Sequence, residues 1–261
     1  MKIKFIIFPI LYFSISSAFS QWNTQTVTNS GDVGRQSHIA VDSEGFQHIV
    51  HSNSSGDLLH SYWTGTTWST EDLNNNQSAY SFDINIDESN IIYIVYSDSQ
   101  KNIRILTKHP GGSWTNIYTG LTSQTYDISI SMAITYDSSP VDTIIYLAYN
   151  KNDNLYCSTY KINTGTATEN LVDGNLKVGA YNDIVIDNND HVHISYQDYN
   201  NSGKDLKYAF YNGNEWLTTI VDGLGSAVGQ YTSIDVDSNN EAHISYYDFT
   251  NGQLLHVKIS Q

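Results

Sequence analysis

The stretch DIVIDNNDHVHISYQDYNNSGKDLKYAFYNGNEW, residues 183–216, decides the fold. Apolar and polar residues alternate at its start, which is typical of a half-buried strand. A turn of Asp and Asn follows, and then come HISYQD and LKYAFY, each of strand length. The turn dipeptide Asn212–Gly213 precedes a last strand that opens with Trp216. The stretch therefore predicts four short strands in succession.

The same pattern recurs along the chain. Copies begin at His38, Asp83 and Ser233, and a weaker copy begins at Ala133. An aspartate that ends each first strand marks the copies at spacings of 45, 50, 50 and 50 residues: Asp42, Asp87, Asp137, Asp187 and Asp237. A four-stranded repeat of about 40–50 residues is typical of a β-propeller blade. The sequence predicts an all-β fold, a five-bladed β-propeller of four-stranded blades, as a single domain over residues 21–261.

The two ends of the chain complement each other. The last copy stops at Gln261 after its third strand, whereas residues 21–27, QWNTQTV, have the pattern of an isolated fourth strand. Trp22 there matches Trp68 and Trp216, which open the fourth strands of other copies. We expect this N-terminal strand to complete the C-terminal blade and to cover two open sheet edges.

Residues 1–20 have the pattern of a signal peptide. Lys2 and Lys4 give a basic start, an apolar run extends to Phe13, and small residues precede a cleavage site after Ser20. The apolar run is shorter than the ~20 residues that span a bilayer. The sequence predicts a secreted or periplasmic protein without membrane insertion.

Composition excludes several classes of function. Twelve basic residues against 27 acidic ones give a net charge of −15, which argues against nucleic-acid binding. A single cysteine excludes an intrachain disulfide and a zinc site of several cysteines. No cofactor is predicted. The acidic excess leaves Ca²⁺ open as a ligand, although no loop has the spacing of a known calcium site. We expect a monomer.

The motifs that recur in the copies, HISYYD at residues 243–248, LKYA at 206–209 and GxxW at 213–216, support a resemblance. They resemble the repeats of secreted bacterial β-propeller proteins, among the sialidase-like and lectin-like propellers, over residues 21–261. The resemblance implies the fold more than the function, because propellers host many activities. A sialidase is disfavoured, since those enzymes use three arginines to hold the substrate carboxylate and this chain has only Arg35 and Arg104.

The first candidate ligand-binding residues lie at the ends of the second strands and in the loops that precede the first strands. The set is Asn53, Asp98, Asn150, Asp198 and Asp248, with Tyr181 and Tyr231. Aromatic rings stack on the apolar faces of sugars, and carboxylates accept hydrogen bonds from sugar hydroxyls. The pattern predicts a lectin-like protein that binds a neutral glycan or a cell-surface polysaccharide. The alternative is that the Asp and Asn side chains cap their own loops.

The second candidate site lies on the propeller axis, where His38, Asp83 and Asp183 are predicted to converge. Such a cluster can hold a cation or act as general acid and base, which would make the protein a glycoside hydrolase with an Asp83–Asp183 pair. The alternative is a water-filled polar channel. A third hypothesis is a non-enzymatic scaffold for protein interactions.

One position of the second strand carries a His or Tyr ring in every copy, and we interpret this position as packing: His48, Tyr93, Tyr146, His193 and His243.

Overall fold

The computed structural model describes residues 24–73, 78–123, 129–138, 141–200, 204–223 and 225–260. These residues form strands, turns and loops, and among them no helix is long and apolar enough to cross a membrane. The predicted signal peptide, residues 1–20, lies outside the described residues, as does Trp22.

The strands form five antiparallel sheets, each built from consecutive strands that pair in chain order. The first blade contains β1 (Val33–Val41), β2 (Gln47–Asn53), β3 (Leu58–Trp63) and β4 (Trp68–Asp72). The second contains β5 (Phe82–Ile86), β6 (Ile92–Ser97), β7 (Asn102–Lys108) and β8 (Thr115–Thr122). The third contains β9 (Ser131–Ser138), β10 (Val141–Lys151), β11 (Asn154–Lys161) and β12 (Thr166–Asp173). The fourth contains β13 (Val178–Ile186), β14 (Val192–Asp198), β15 (Leu206–Tyr211) and β16 (Trp216–Asp222). The fifth contains β17 (Gln230–Val236), β18 (Ala242–Asp248) and β19 (Gln253–Ile259).

The predicted five-bladed β-propeller is confirmed. Four blades have four strands, and the fifth has three strands among the described residues. Residues 24–30 form no strand, and residues 21–23 of the predicted N-terminal strand lie outside the described part of the chain. The edge of β19 therefore has no paired strand among the described residues.

Four marker aspartates, Asp42, Asp87, Asp187 and Asp237, accept backbone N–H groups of the turn between the first and second strands, whereas Asp137 lies within β9 and accepts from Lys161 Nζ. Asp87 Oδ1 accepts the backbone N–H groups of Ser89 and Ile91 at 2.9 and 2.8 Å. Asn90 in this turn has a φ of 60°, a left-handed conformation that Asn tolerates better than most residues. The side chain thus satisfies the turn's own donors, which is why Asp recurs at this position.

The core lies between the blades. Successive side chains of a strand point to opposite faces, so a sheet can pack on the blade before it and on the blade after it. Among the described residues, buried clusters join the first blade to the second, the second to the third, the third to the fourth and the fourth to the fifth. Leu58 and Ile84 belong to one buried cluster at the junction of the first and second blades. Leu206 and Ile234 belong to the equivalent cluster at the junction of the fourth and fifth blades. Full burial of such a side chain stabilises the fold by about 1.5–3 kcal/mol.

Candidate functional site

A cavity of about 720 Å³ lies where the first strands of all five blades converge, and we call it the axial cavity. Every blade contributes to its wall. The lining residues are Arg35, Gln36, Ser37, His38, Tyr80, Ser81, Asp83, Ser129, Ile130, Ser131, Tyr181, Asn182, Asp183, Tyr231, Thr232 and Ser233. The size is that of a site for a small organic ligand. The structure therefore brings together the axial residues and the two tyrosines that the sequence assigns to separate candidate sites.

Asp83 and Asp183 both line the axial cavity, and both also hold neighbouring blades together. Asp83 Oδ2 accepts the backbone N–H of Met132 at 2.8 Å. Asp183 Oδ2 accepts the backbone N–H of Ile234 at 2.9 Å. The other oxygen of each carboxylate accepts the N–H of the residue that follows it. Each carboxylate oxygen therefore already has a hydrogen-bond donor from the protein.

The pKa values of His38 and Asp183 in the axial cavity both lie above their usual values. Burial lowers the pKa of the His38 imidazole. The Asp83 carboxylate, whose Oδ1 lies 3.3 Å from His38 Nδ1, raises the pKa by more than burial lowers it, so the pKa of His38 lies above its usual value. Burial is the main cause that raises the pKa of Asp183, and the charge of Asp83 adds to it. Among the described residues no group of three His, Cys, Asp or Glu side chains is arranged to hold a metal ion.

Aromatic rings form one part of the cavity wall. The rings of Tyr181 and Tyr231 lie 4.7 Å apart between centroids and are tilted by 57°. Tyr231 is 70 % exposed, and Tyr80 on another blade is 40 % exposed. Tyr181 and Tyr231 have φ values of 50° and 53°, a left-handed conformation that costs a bulky residue energy. Such strain recurs at ligand sites, and here it is combined with exposed rings that face a cavity.

The Asp and Asn side chains at the ends of the second strands serve their own loops. Asp98 Oδ1 accepts the N–H groups of Gln100 and Asn102, both at 2.9 Å. Asn53, Asp198 and Asp248 accept backbone N–H groups of their loops in a similar way. Asn150 instead donates its side-chain N–H to the carbonyl of Val178. Four of the five are buried, Asn53 being half-buried. The capping alternative therefore describes Asn53, Asp98, Asp198 and Asp248 but not Asn150. None of the five lines the axial cavity, and a ligand-binding role for them stays a prediction.

A second cavity of about 470 Å³ lies between the first and second blades, and its wall includes the marker aspartate Asp42 and the half-buried His48. His48 Nδ1 lies 3.1 Å from His60 Nε2, and His60 Nδ1 lies 2.9 Å from Glu71 Oε1. Lys108 Nζ and Trp114 Nε1 also donate to Glu71 Oε1. Burial lowers the pKa of His60, and its hydrogen bond to Glu71 only partly offsets this. The repeat shows the position of His48, but the partner His60 on the next strand gives no separate sequence signal.

No protein-family model matches the sequence, and no curated protein is similar to it. Solved structures are similar at the level of the fold. A mutant of AofleA from Arthrobotrys oligospora matches with a TM-score of 0.61 at 9% identity, over 86% of this chain and 67% of that one. A mutant of the Aleuria aurantia lectin in complex with Fucα1-6GlcNAc matches with a TM-score of 0.53 at 11% identity, over 87% and 78%. An endo-arabinase from Bacteroides thetaiotaomicron matches with a TM-score of 0.50 at 12% identity, over 86% and 93%. These likenesses define the class of protein as a β-propeller.

Proposed function

We propose that the protein is a secreted carbohydrate-binding propeller and that a neutral sugar residue binds in the axial cavity. The observation that carries this proposal is the tyrosine pair Tyr181–Tyr231 beside hydrogen-bonding side chains in one cavity. Both tyrosines have a strained backbone, Tyr231 is exposed and Tyr181 is half-buried. Sugars present an apolar face to aromatic rings and hydroxyl groups to polar side chains, so both kinds of group are needed in one place. The glycan-bound lectin among the similar folds supports the same ligand class.

The polar groups of the cavity suit a neutral ligand. Asp83 and Asp183 can each accept a further hydrogen bond, because a carboxylate has about four acceptor positions and the protein fills only some of them. The acidic balance of the chain and the two axial carboxylates would repel an acidic polysaccharide. A neutral sugar has no such repulsion to overcome.

The test is a binding measurement with purified protein and methyl α-L-fucoside, followed by a glycan array. The fucoside is chosen because a fucoside is bound in a structure of the Aleuria aurantia lectin. Tyr231→Ala should weaken binding at least about five-fold, since loss of a stacking ring removes roughly 1–3 kcal/mol, on the scale of alanine substitutions at base-stacking aromatics. Tyr118→Ala is the matched control, because Tyr118 is 56 % exposed on an outer strand and does not line the cavity. Equal weakening by both variants, or no binding to any neutral glycan, would overturn the proposal.

A glycoside hydrolase that uses Asp83 and Asp183 is the second candidate. The raised pKa of Asp183 favours it, because a general acid must hold a proton near its working pH. The donors that already occupy each carboxylate oxygen disfavour it. Release of reducing sugar from arabinan or other neutral polysaccharides, abolished by Asp183→Asn in a folded protein, would establish hydrolysis in place of simple binding.

A further inference from the structure

The two tyrosines of the axial cavity occupy the same position in adjacent blades, and both lie in β-bulges. The register of the β13–β14 pairing shifts at Tyr181, and the register of the β17–β18 pairing shifts at Tyr231. A bulge bends its strand and re-aims a side chain, and bulges recur beside functional sites. Each tyrosine that lines the cavity therefore lies in a local departure from the regular first strand.

The other three blades do not combine these features. Ser81 and Ser131 lie six residues before their marker aspartates, as the two tyrosines do, and the pairings of β5 with β6 and of β9 with β10 show no register shift over their described residues. In the first blade the register also shifts, but Gly34 there takes the positive φ and Gln36, at the equivalent position, does not. Among the described residues at this position, only the two tyrosines are left-handed. The conformation is therefore not a requirement of the blade repeat.

A left-handed tyrosine needs support from its surroundings. The conformation brings Cβ too close to a backbone carbonyl oxygen, so it is unfavourable for every side chain larger than that of glycine. Such conformations persist where the surrounding structure over-determines them. The contacts around Tyr181 should therefore include groups that hold its backbone in place.

Thr232, the residue that follows Tyr231, supplies such a contact. Its Oγ1 donates to the backbone carbonyl of Tyr181 at 3.0 Å and lies 2.6 Å from Ser195 Oγ. A threonine hydroxyl has one proton, which here goes to the carbonyl, so Ser195 is the donor in the second bond. Thr232 is 8 % exposed and Ser195 is fully buried. The chain of bonds from Ser195 through Thr232 therefore fixes the carbonyl of Tyr181 at a place where an unpaired polar group is costly.

Asn182 holds the same bulge from the other side. Its Nδ2 donates to the carbonyl of Ser129 at 2.7 Å, and its Oδ1 accepts a hydrogen bond from Ser131 Oγ at 2.8 Å. Both serines belong to the third blade, and both line the axial cavity. Tyr181 is thus held between the third blade, through Asn182, and the fifth blade, through Thr232.

The two tyrosine rings act as one surface. Their centroids lie 4.7 Å apart, so the rings are in contact and no ligand fits between them. A sugar must contact both rings from the side of the cavity. The placement of one ring relative to the other therefore decides how much aromatic surface a sugar covers.

We propose that Thr232 is a positioning residue of the axial cavity, whose hydroxyl links the bulge of Tyr231 to that of Tyr181 and so presents the two rings as one binding platform. Because Thr232 follows one tyrosine in the chain and donates to the other, a change in one bulge is passed to the next blade. The link itself rests on the geometry of the two blades, whereas its effect on affinity rests on the function proposed above.

The first test measures the affinity of Thr232→Val for methyl α-L-fucoside. Valine keeps the shape of the side chain and removes the hydroxyl, so the dissociation constant should rise about five-fold, the effect of one lost hydrogen bond. Thr232→Ser restores a hydroxyl and should recover most of the affinity. Thr119→Val is the matched control, because Thr119 Oγ1 donates to the carbonyl of Ile103 at 2.6 Å, is similarly buried and does not line the cavity. An equal loss in Thr119→Val, or no recovery in Thr232→Ser, would overturn the proposal.

The second test needs no sugar, and it distinguishes positioning from direct contact with the ligand. Glycine suits a left-handed position and alanine does not, so Tyr181→Gly should unfold at a higher urea concentration than Tyr181→Ala. In the Thr232→Val protein this difference should shrink, because residue 181 can then leave the left-handed conformation. An unchanged difference there would overturn the positioning role. A Tyr181→Ala protein more stable than Tyr181→Gly would contradict the left-handed conformation itself.

Together the two tests separate failure of this proposal from failure of the proposed function. Fucoside binding that Thr232→Val leaves unchanged would overturn the positioning role and leave sugar binding intact. Absence of binding in every protein would overturn the proposed function, and with it the effect on affinity, while the urea comparison would still decide whether Thr232 holds Tyr181.

Discussion

The carboxylate of Asp183 joins the fourth blade to the fifth, because its Oδ2 accepts the backbone N–H of Ile234 at 2.9 Å. Ser233 Oγ donates to the same oxygen at 3.1 Å. Asp83 makes the equivalent bond to Met132, between the second and third blades. A polar residue on the first strand can therefore connect blades and face the axial cavity at the same time.

Asp183→Ala should destabilise the protein by roughly 1–3 kcal/mol, because it leaves buried backbone donors without an acceptor. Urea unfolding measures this change. Burial raises the pKa of Asp183, so the folded state binds its proton more tightly than the unfolded state does. The stability of the protein therefore falls as the pH rises from the ordinary aspartate pKa through the raised pKa of Asp183. Asp183→Ala should remove this dependence of stability on pH. Asp235→Ala on the exposed side of β17 is the control, and an equal loss there would contradict the bridging role.

Asp98→Ala should lower stability by roughly 1–3 kcal/mol without changing sugar affinity. Its carboxylate caps the loop through Gln100 and Asn102, and Arg104 Nε donates to it at 3.1 Å. Although burial opposes it, these donors hold the pKa of Asp98 below its usual value. The stability that the Asp98 carboxylate contributes is therefore present above the ordinary aspartate pKa, and it is lost as the pH falls through the lowered pKa of Asp98. Unfolding and binding are measured on the same sample. Lost sugar binding at unchanged stability would contradict this expectation and would show that Asp98 binds the ligand.

Much of the fold follows from the sequence, because alternation and turn residues act locally. The predicted strand LKYAFY, residues 206–211, coincides with β15, and the predicted strand HISYQD, residues 193–198, lies within β14. The site follows less directly. Asp and Asn at strand ends suit both sugar binding and loop capping. The atomic contacts of Asp98 show loop capping, and its role in sugar binding stays a prediction. Leu254 on β19 is 82 % exposed, whereas Leu206 at the equivalent position of β15 is fully buried. The sequence does not predict this difference, because equivalent positions of a repeat carry the same sequence signal whether or not a neighbouring blade covers them.

Acidification should loosen the junction of the first and second blades. Burial is the main cause that lowers the pKa values of His48 and His60, so both imidazoles are held neutral in the folded state. The stability that the two neutral imidazoles contribute to the folded state is complete above the ordinary histidine pKa of about 6.5, and it is lost as the pH falls below that value. The carboxylates of Asp42 and Glu71 face these rings and raise the pKa values of His48 and His60, whereas the charge of Lys108 lowers them.

The melting temperature between pH 7.5 and 5 tests this expectation. His60→Gln should lower the melting temperature at pH 7.5 and make its decline with acid shallower than in the unaltered protein. Burial raises the pKa of Glu71, but its hydrogen bonds lower it to about 2. Glu71 therefore stays ionised between pH 7.5 and 5 and does not contribute to the pH dependence measured there. His256→Gln serves as the control, since His256 pairs with His243 on the fifth blade, where that pair is exposed. Identical pH slopes in all three proteins would contradict the buried-pair explanation.

Lys207→Met should destabilise the junction of the third and fourth blades by about 3–5 kcal/mol, because it leaves the carboxylate of Asp173 buried without its cation. Both side chains are almost fully buried and form an ion pair, and Tyr196 Oη donates to the same carboxylate at 2.8 Å. Adding Asp173→Asn to Lys207→Met should recover part of the loss, since the remaining group is then neutral. Tyr246→Phe at the next junction removes a hydrogen bond to Asp222 without removing a cation from a buried carboxylate, and it should cost only about 1 kcal/mol. A double variant less stable than Lys207→Met alone would show that the cost comes from lost packing of the lysine chain and not from the unpaired charge.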